Sequence, residues 1–264
     1  MTLILIRGGG DLASGVALRL HHAGLQVIIS ELAQPLAVRR AVSFCEAVYE
    51  GQWQVEEISA ERVETRQQLE DAIEQGKIPV IVDPNLEKLS TFSLNPSIVI
   101  DARLLKHPPE PLTIATSLLI GLGPGFVAGE NCQAVIETQR GHTLGRVYWR
   151  GAASSDSGLP DGDPGRVLRA PTDGKLTGCA QIGEHIEPDQ VIAKVSGQPI
   201  RAPFAGVLRG LIRPGLVVSH GLKVGDLDAR DNREYCFLVS DKALAIGGAA
   251  LEAILAHQKK EQGR

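Results

Sequence analysis

The residues best placed to do chemistry in this chain are three glycines and two acids near its start. Gly8, Gly9 and Gly10 follow the apolar run Leu3-Ile4-Leu5-Ile6 and precede Asp11, Leu12 and Ala13. Gly8, Gly10 and Ala13 fit the spacing G-x-G-x-x-A. In that spacing the first glycine permits a tight turn, the second lets a phosphate approach the backbone, and the small third residue lets helix and strand pack closely. A helix starting here offers its free N–H groups and its dipole to an anion. Glu31 stands 23 residues after Gly8, near the place where an acidic side chain holds a ribose hydroxyl in dinucleotide-binding folds. Asp11 fits less smoothly, because its charge repels phosphate. It caps the helix, or it holds a metal or a hydroxyl. A structural glycine turn that binds nothing has the same sequence form.

Further polar candidates follow apolar runs. Asp83 ends Ile78-Pro79-Val80-Ile81-Val82, and Asp101 ends Ser97-Ile98-Val99-Ile100. Ligands of open α/β sheets sit outside the carboxyl ends of strands, so both aspartates are site candidates; both are equally good caps for a following turn or helix. A second glycine-rich turn, Gly121-Leu122-Gly123-Pro124-Gly125, has no Walker ending and is stiffened by Pro124, so it does not read as an ATPase loop. It can line the same crevice from the other side. Arg140 and His142 lie on a predicted hairpin connection, and Lys242 is a candidate anion contact. Arg39 and Arg40 can reach a phosphate or form a solvated basic pair. Cys45, Cys132, Cys179 and Cys236 form no C-x-x-C pair, so neither a zinc site nor a redox motif is indicated. No residue set defines a catalytic machinery.

The elements that must position these groups read as α/β. Apolar runs and helical spacings alternate through residues 1–151, the expectation being a Rossmann-like parallel sheet domain that binds a nucleotide or cofactor. Residues 56–75 read as a polar helix, and residues 234–239 as a strand. Residues 152–165 are almost free of large apolar side chains and predict a mobile linker. Beyond it, Arg169-Ala170-Pro171 to Gly178 is repeated 32 positions later as Arg201-Ala202-Pro203 to Gly210. Two copies with glycine turns suggest a small flattened barrel with quasi-two-fold symmetry over residues 166–230, similar to the biotinyl and lipoyl carrier domains, or barrel-sandwich hybrid. Lys194 lacks the flanking residues of a carrier lysine and is offset from the tip at Ser196-Gly197, so no biotin or lipoate is expected. Residues 231–264 supply a strand and a C-terminal helix expected to pack back on the first domain. Gly247-Gly248 inside that helix costs about 1 kcal/mol per glycine and therefore suggests a close backbone contact.

Composition narrows the partners. A net charge of −4 over 264 residues gives no strong pull on nucleic acid or an anionic membrane. Aromatic residues make up 4% of the chain, too few for a base-stacking platform. No apolar run reaches the roughly 20 residues that span a bilayer, and the first residues enter a strand directly, which places the protein in the cytoplasm. The oligomeric state is not legible.

Several stretches taken together carry a resemblance. They are Arg7 to Ala13, Ala41 to Gly51, Gly121 to Phe126, Val135 to His142 and Ser240 to Gly248. They resemble the selenium-dependent molybdenum hydroxylase accessory family over nearly the whole chain. The first domain also resembles, distantly, the Rossmann domain of xanthine dehydrogenase accessory proteins, which help deliver sulfurated molybdenum cofactor. The resemblance implies a maturation protein with a molybdenum hydroxylase client. Its small phosphate-bearing ligand would be a nucleotide or a molybdopterin-type molecule held at Gly8 to Ala13, with Glu31 on a hydroxyl. The stretch Arg103 to Pro109 departs from the basic, Asn- and Gly-containing segment expected there. Two other readings stand beside this one: an NAD(P)-dependent oxidoreductase, and a non-catalytic binding scaffold.

Overall fold

The computed structural model describes residues 3–156, 158 and 164–263. Most of the tip of the predicted linker, residues 157 and 159–163, lies outside the described residues. Contacts divide the chain into two units. Unit 1 comprises Met1–Pro35, Phe44–Ser157 and Val239–Arg264; unit 2 comprises Leu36–Ser43 and Gly158–Leu238.

Unit 1 begins with β1 (Leu3–Arg7), α1 (Asp11–His22) and β2 (Gln26–Glu31). Then come α2 (Ala47–Glu50), β3 (Gln52–Val55), β4 (Ile58–Arg62), α3 (Arg66–Glu74), β5 (Ile78–Val82), α4 (Glu87–Thr91) and β6 (Ile98–Asp101). The short strands β7 (Leu118–Leu122), β8 (Val127–Ala128), β9 (Ala134–Ile136), β10 (Val147–Tyr148) and β11 (Gly151–Ala152) follow. Nine strands form one sheet in the order β10-β9-β7-β6-β1-β2-β5-β4-β3. Its middle is parallel, and the run Ile4-Leu5-Ile6 is fully buried, as in a strand covered on both faces.

The Rossmann-like parallel sheet expected from the sequence is corrected to a large mixed sheet. Both edges are antiparallel, β3 on β4 and β10 on β9. The alternation of strand and helix also stops after β6. Pro108, Pro109 and Pro111 fall in the stretch between β6 and β7, where each removes a helix hydrogen bond, and no helix crosses there. The polar helix read over residues 56–75 is shorter than expected. Ile58 to Arg62 instead pairs with β3 as a strand, with Ala60 buried. The helix begins only after Thr65, whose side chain and that of Gln68 form a capping box.

The last helix of unit 1, α5 (Asp241–Gln262), packs on α1. Small residues make this crossing close. A Cβ added at Gly15 would lie 2.6 Å from the Ala243 Cβ, and one added at Gly247 would lie 2.6 Å from the Gly15 carbonyl oxygen. The adjacent Gly248 has open space at the same position. Among the described residues no helix is long and apolar enough to cross a membrane.

Unit 2 contains β12 (Val167–Arg169), β13 (Gly174–Gly178), β14 (His185–Ile186), β15 (Val191–Val195), β16 (Gln198–Arg201), β17 (Gly206–Leu211), β18 (Val217–Val218) and β19 (Lys223–Asp228). They form two four-stranded antiparallel sheets, ordered β12-β19-β17-β14 and β16-β15-β13-β18. The 32-residue repeat is visible in these orders: exchanging each strand for its counterpart one repeat away converts one sheet into the other. The biotinyl/lipoyl-like barrel expected for this region is corrected to these two sheets, because the pairing runs within each sheet and, among the described residues, no strand pair joins them. Residues Arg233–Cys236 form a short 3-10 turn where a strand was read.

Charge pairs anchor the last strand of unit 2. The fully buried Asp226 accepts from Arg166 and Arg209, with shortest distances of 2.9 and 2.7 Å. Asp228 accepts from Arg230 at 2.6 Å and from Arg209 at 3.3 Å. The Arg230 hydrogen bond comes first among the causes that lower the Asp228 carboxyl to about 2.

Candidate functional site

The three glycines after β1 have three different roles. Gly8 turns the chain with φ +92°, a conformation that favours glycine, and donates to the Ser30 carbonyl at 2.8 Å. Gly9 is enclosed: a Cβ there would lie 3.0 Å from the Cys45 backbone nitrogen and 3.2 Å from the Ile29 side chain. Its carbonyl accepts from the Cys45 N–H at 2.9 Å and the Ser14 hydroxyl at 3.2 Å. Gly10 is the N-cap of α1. No side chain caps the helix, and nothing lies within 4 Å of a Cβ built at Gly10. Ala13 is buried in the first turn, and Asp11 is its first residue.

Glu31 reaches this loop from the end of β2. One carboxylate oxygen accepts from the Gly9 N–H at 2.6 Å and the other from the Leu32 N–H at 2.7 Å. Burial raises its pKa against the opposing effect of these two bonds. Burial likewise pushes the Cys45 thiol well above its ordinary value, reinforced by the negative charges of Glu31, Glu46 and Asp11. This holds the thiol in its protonated form.

Asp83 and Asp101 lie at the same carboxyl edge. The buried Asp83 accepts from the Glu87 and Lys88 N–H groups at 2.9 and 2.8 Å and so caps α4. Asp101 is also buried. It accepts from the Arg103 guanidinium at 2.6 Å and, more loosely, from Arg7 at 3.4 Å. Arg7 also donates to the Pro84 carbonyl at 3.2 Å. Its Nε is buried without a hydrogen-bond partner, and burial lowers its pKa. The sequence motifs assign no contact to Arg7 or Arg103. The signal available was their position, one beside the glycines and one two residues after Asp101.

The second glycine turn is held by packing. A Cβ at Gly121 would run into the Phe126 ring, and one at Gly125 would lie 2.6 Å from the carbonyl oxygens of Leu105 and His107. Gly123 has φ +83° and sits against Thr138. Arg140 is drawn elsewhere: its guanidinium forms a two-pronged ion pair with Asp241 at 2.8 and 2.7 Å. This places Arg140 beside Lys242 at the start of α5. His142 is exposed on the connecting turn. Within unit 2, Arg39 donates to the carbonyls of Tyr235 and Leu238, and Arg40 to that of Leu211. The structure thus gathers Gly8 to Ala13, Glu31, Asp83 and Asp101 at one edge of the sheet, whereas Arg140 and Lys242 group with α5. Among the described residues no cluster of three or more His, Cys, Asp or Glu side chains can hold a metal.

No model of a known protein family matches the chain. It is 43% identical over 257 residues to the uncharacterized protein YqeB of Escherichia coli (strain K12), covering 96% of this chain. It spans about half the length of that curated relative, 47%. Among solved structures it is similar to the product-bound ectoine utilization protein EutE (DoeB) from Ruegeria pomeroyi, with 12% identity, a TM-score of 0.24, and coverage of 85% of this chain and 57% of that one. An aspartoacylase family protein from Mesorhizobium loti gives 12% identity, 86% and 84% coverage and a TM-score of 0.26. A succinylglutamate desuccinylase from Silicibacter sp. TM1040 gives 12%, 86%, 84% and 0.25. At these scores the likenesses carry neither a fold nor an activity over to this chain.

These findings overturn the family resemblance drawn from the sequence motifs. No family model supports it, and the relative that the chain matches is uncharacterized. The accessory-family reading is therefore withdrawn, with its molybdenum cofactor and hydroxylase client. The oxidoreductase and scaffold alternatives find no support in them either. The motifs misled because glycine turns and close helix contacts recur wherever a strand and a helix must pack tightly.

Proposed function

We propose that unit 1 binds a small phosphate-bearing ligand at the Gly8 to Ala13 turn. The observation that supports this reading is the start of α1, a helix of 12 residues whose N-cap is a glycine with no side-chain cap and open space around it. Such a helix end leaves N–H groups directed at an anion. The Arg7 and Arg103 guanidinium groups at the ends of β1 and β6 set positive charge against the carboxylates of Asp11, Glu31, Asp83 and Asp101 at the same edge. Glu31 does not cap α1, because its two carboxylate oxygens accept from the Gly9 and Leu32 N–H groups. A net charge of −4 favours a small molecule over nucleic acid as the partner. A cytoplasmic location accompanies the reading, supported by four free cysteines of which Cys179 is exposed.

The test is a cap supplied by the chain itself. In Gly10→Asp the new carboxylate accepts from the first-turn N–H groups and competes with phosphate. Trp53 and Trp149, the two tryptophans, both belong to unit 1, so tryptophan fluorescence follows the melting of that unit. Inorganic phosphate is expected to raise this melting temperature in the wild type and not in Gly10→Asp. Asp11→Asn is expected to enlarge the rise. No rise in the wild type, or an equal rise in Gly10→Asp, defeats the proposal.

A further inference from the structure

The repeat in unit 2 brings equivalent residues to one cavity. This open cavity of about 320 Å³ is lined by Leu168 with Ile200, Arg169 with Arg201, and Pro171 with Pro203. Each pair is separated by 32 positions, so the cavity lies where the two halves of the repeat meet. The residues come from and beside β12 and β16, which are end strands of the two separate sheets. Each sheet therefore presents an edge to the cavity, and each edge carries an arginine.

The two arginines are held alike. Arg169 donates through Nη1 to the Gly221 carbonyl at 2.9 Å, and Arg201 donates through Nη1 to the Asp189 carbonyl at 2.8 Å. Gly221 and Asp189 are themselves 32 positions apart, so the same tether occurs in both halves. A backbone carbonyl takes up one donor of each guanidinium without neutralising it. No acidic side chain lines the cavity among the described residues, and neither guanidinium meets a carboxylate there. This contrasts with Arg166, Arg209 and Arg230 of the same unit, each of which is paired with an aspartate.

We infer that this cavity is a binding site for a doubly charged oxyanion, the phosphate or the paired carboxylates of a small molecule. Guanidinium groups present forked donors that match phosphate and carboxylate oxygens. Two of them, related by the quasi-two-fold axis, fit a ligand whose charge can be shared between two equivalent directions. Leu168 and Ile200 are buried, and the two arginines stand exposed at the cavity with Pro171 and Pro203. The site is separate from the glycine turn of unit 1 and does not depend on it.

The experiment is isothermal titration of the full chain with inorganic phosphate and, in a second arm, with succinate at constant chloride. Phosphate binding with weak or no succinate binding identifies the phosphate source; the reverse identifies a dicarboxylate. Arg169→Gln and Arg201→Gln are each expected to weaken binding of the favoured anion at this site about tenfold, the usual size for loss of a charge-assisted hydrogen bond. Lys194→Gln, an exposed charge removed elsewhere in unit 2, is the control and is expected to change it less than twofold. Gly10→Asp separates the two sites, since it acts only on unit 1. The double variant Arg169→Gln/Arg201→Gln decides the matter: a loss of fivefold or more at a site that persists in Gly10→Asp supports the inference, and a smaller loss overturns it. Absence of both anions' binding in Gly10→Asp also overturns it. Circular dichroism of each variant confirms that a loss is not unfolding.

Discussion

Two adjacent glycines in one helix should respond to the same substitution with opposite sign. Gly247 and Gly248 both lie inside α5. In an isolated helix either would gain about 1 kcal/mol on replacement by alanine. Gly248 is exposed, with nothing within 4 Å of a Cβ, so Gly248→Ala should realise that gain. At Gly247 the same Cβ would lie 2.6 Å from the Gly15 carbonyl oxygen and 2.8 Å from the Arg19 Cγ. The arginine methylene can swing away, but the Gly15 oxygen belongs to the backbone of α1. A comfortable non-bonded separation is about 3.5 Å, so the helices must part by nearly 1 Å at their crossing. Overpacking of this kind costs about 1–3 kcal/mol, which exceeds the propensity gain. Gly247→Ala is therefore expected to lose about 1 kcal/mol net, leaving the pair about 2 kcal/mol apart. For a unit of this size that separates the melting temperatures by about 4–8 °C. Melting followed by tryptophan fluorescence measures it. If Gly247→Ala proves as stable as Gly248→Ala, the close crossing is not what holds α5 to α1.

Two further substitutions test how acids are used. Asp83→Ala removes the acceptor for two N–H groups at the start of α4 and should lower the stability of unit 1 by about 1–2 kcal/mol; an unchanged melting temperature would show that α4 needs no cap. The Asp228 carboxyl is lowered to about 2 in the folded protein, below its unfolded value of about 3.9. Its contribution to stability is therefore complete above the unfolded value and is lost as pH falls through the folded one. Between about pH 5 and pH 2, Asp228→Asn should lose less stability than the wild type when unfolding is followed by circular dichroism, and parallel curves would count against the Arg230–Asp228 pairing.

The strands were the most legible part of this chain. Ile4, Ile28, Val80 and Val99 belong to continuous apolar runs because each strand is covered on both faces, and burial on both faces leaves an unambiguous signature. The edges were harder. β4 carries Glu61 and Arg62, which mimic a solvated helix until Ala60 is seen facing inward. The Rossmann-like expectation failed for a related reason: a G-x-G-x-x-A spacing reports one strand, turn and helix, and says nothing of the sheet's far edges or of a helix arriving from the end of the chain. At the candidate site, sequence position put Glu31 at the edge of the sheet that carries the glycine turn. It did not tell that the carboxylate would turn back onto the Gly9 N–H. Asp83 and Asp101 posed the same difficulty. A cap, an ion-pair partner and a ligand contact ask for the same residue type at the same place, and only the direction of neighbouring N–H groups and guanidinium groups distinguishes them.

The seating of α5 on α1 also sets an order of events. The segment that completes unit 1 leaves the ribosome after all of unit 2 has been made, because Val239–Arg264 follows Gly158–Leu238 in the chain. Until then the face of α1 that carries Gly15 has no helix to cover it. Unit 2 draws all its described strands from one continuous stretch and can close while synthesis continues. Unit 1 must wait, holding an unfinished surface open for the time taken to translate an intervening domain. A nascent chain of this design is most exposed to chaperones and to mispairing just before α5 appears.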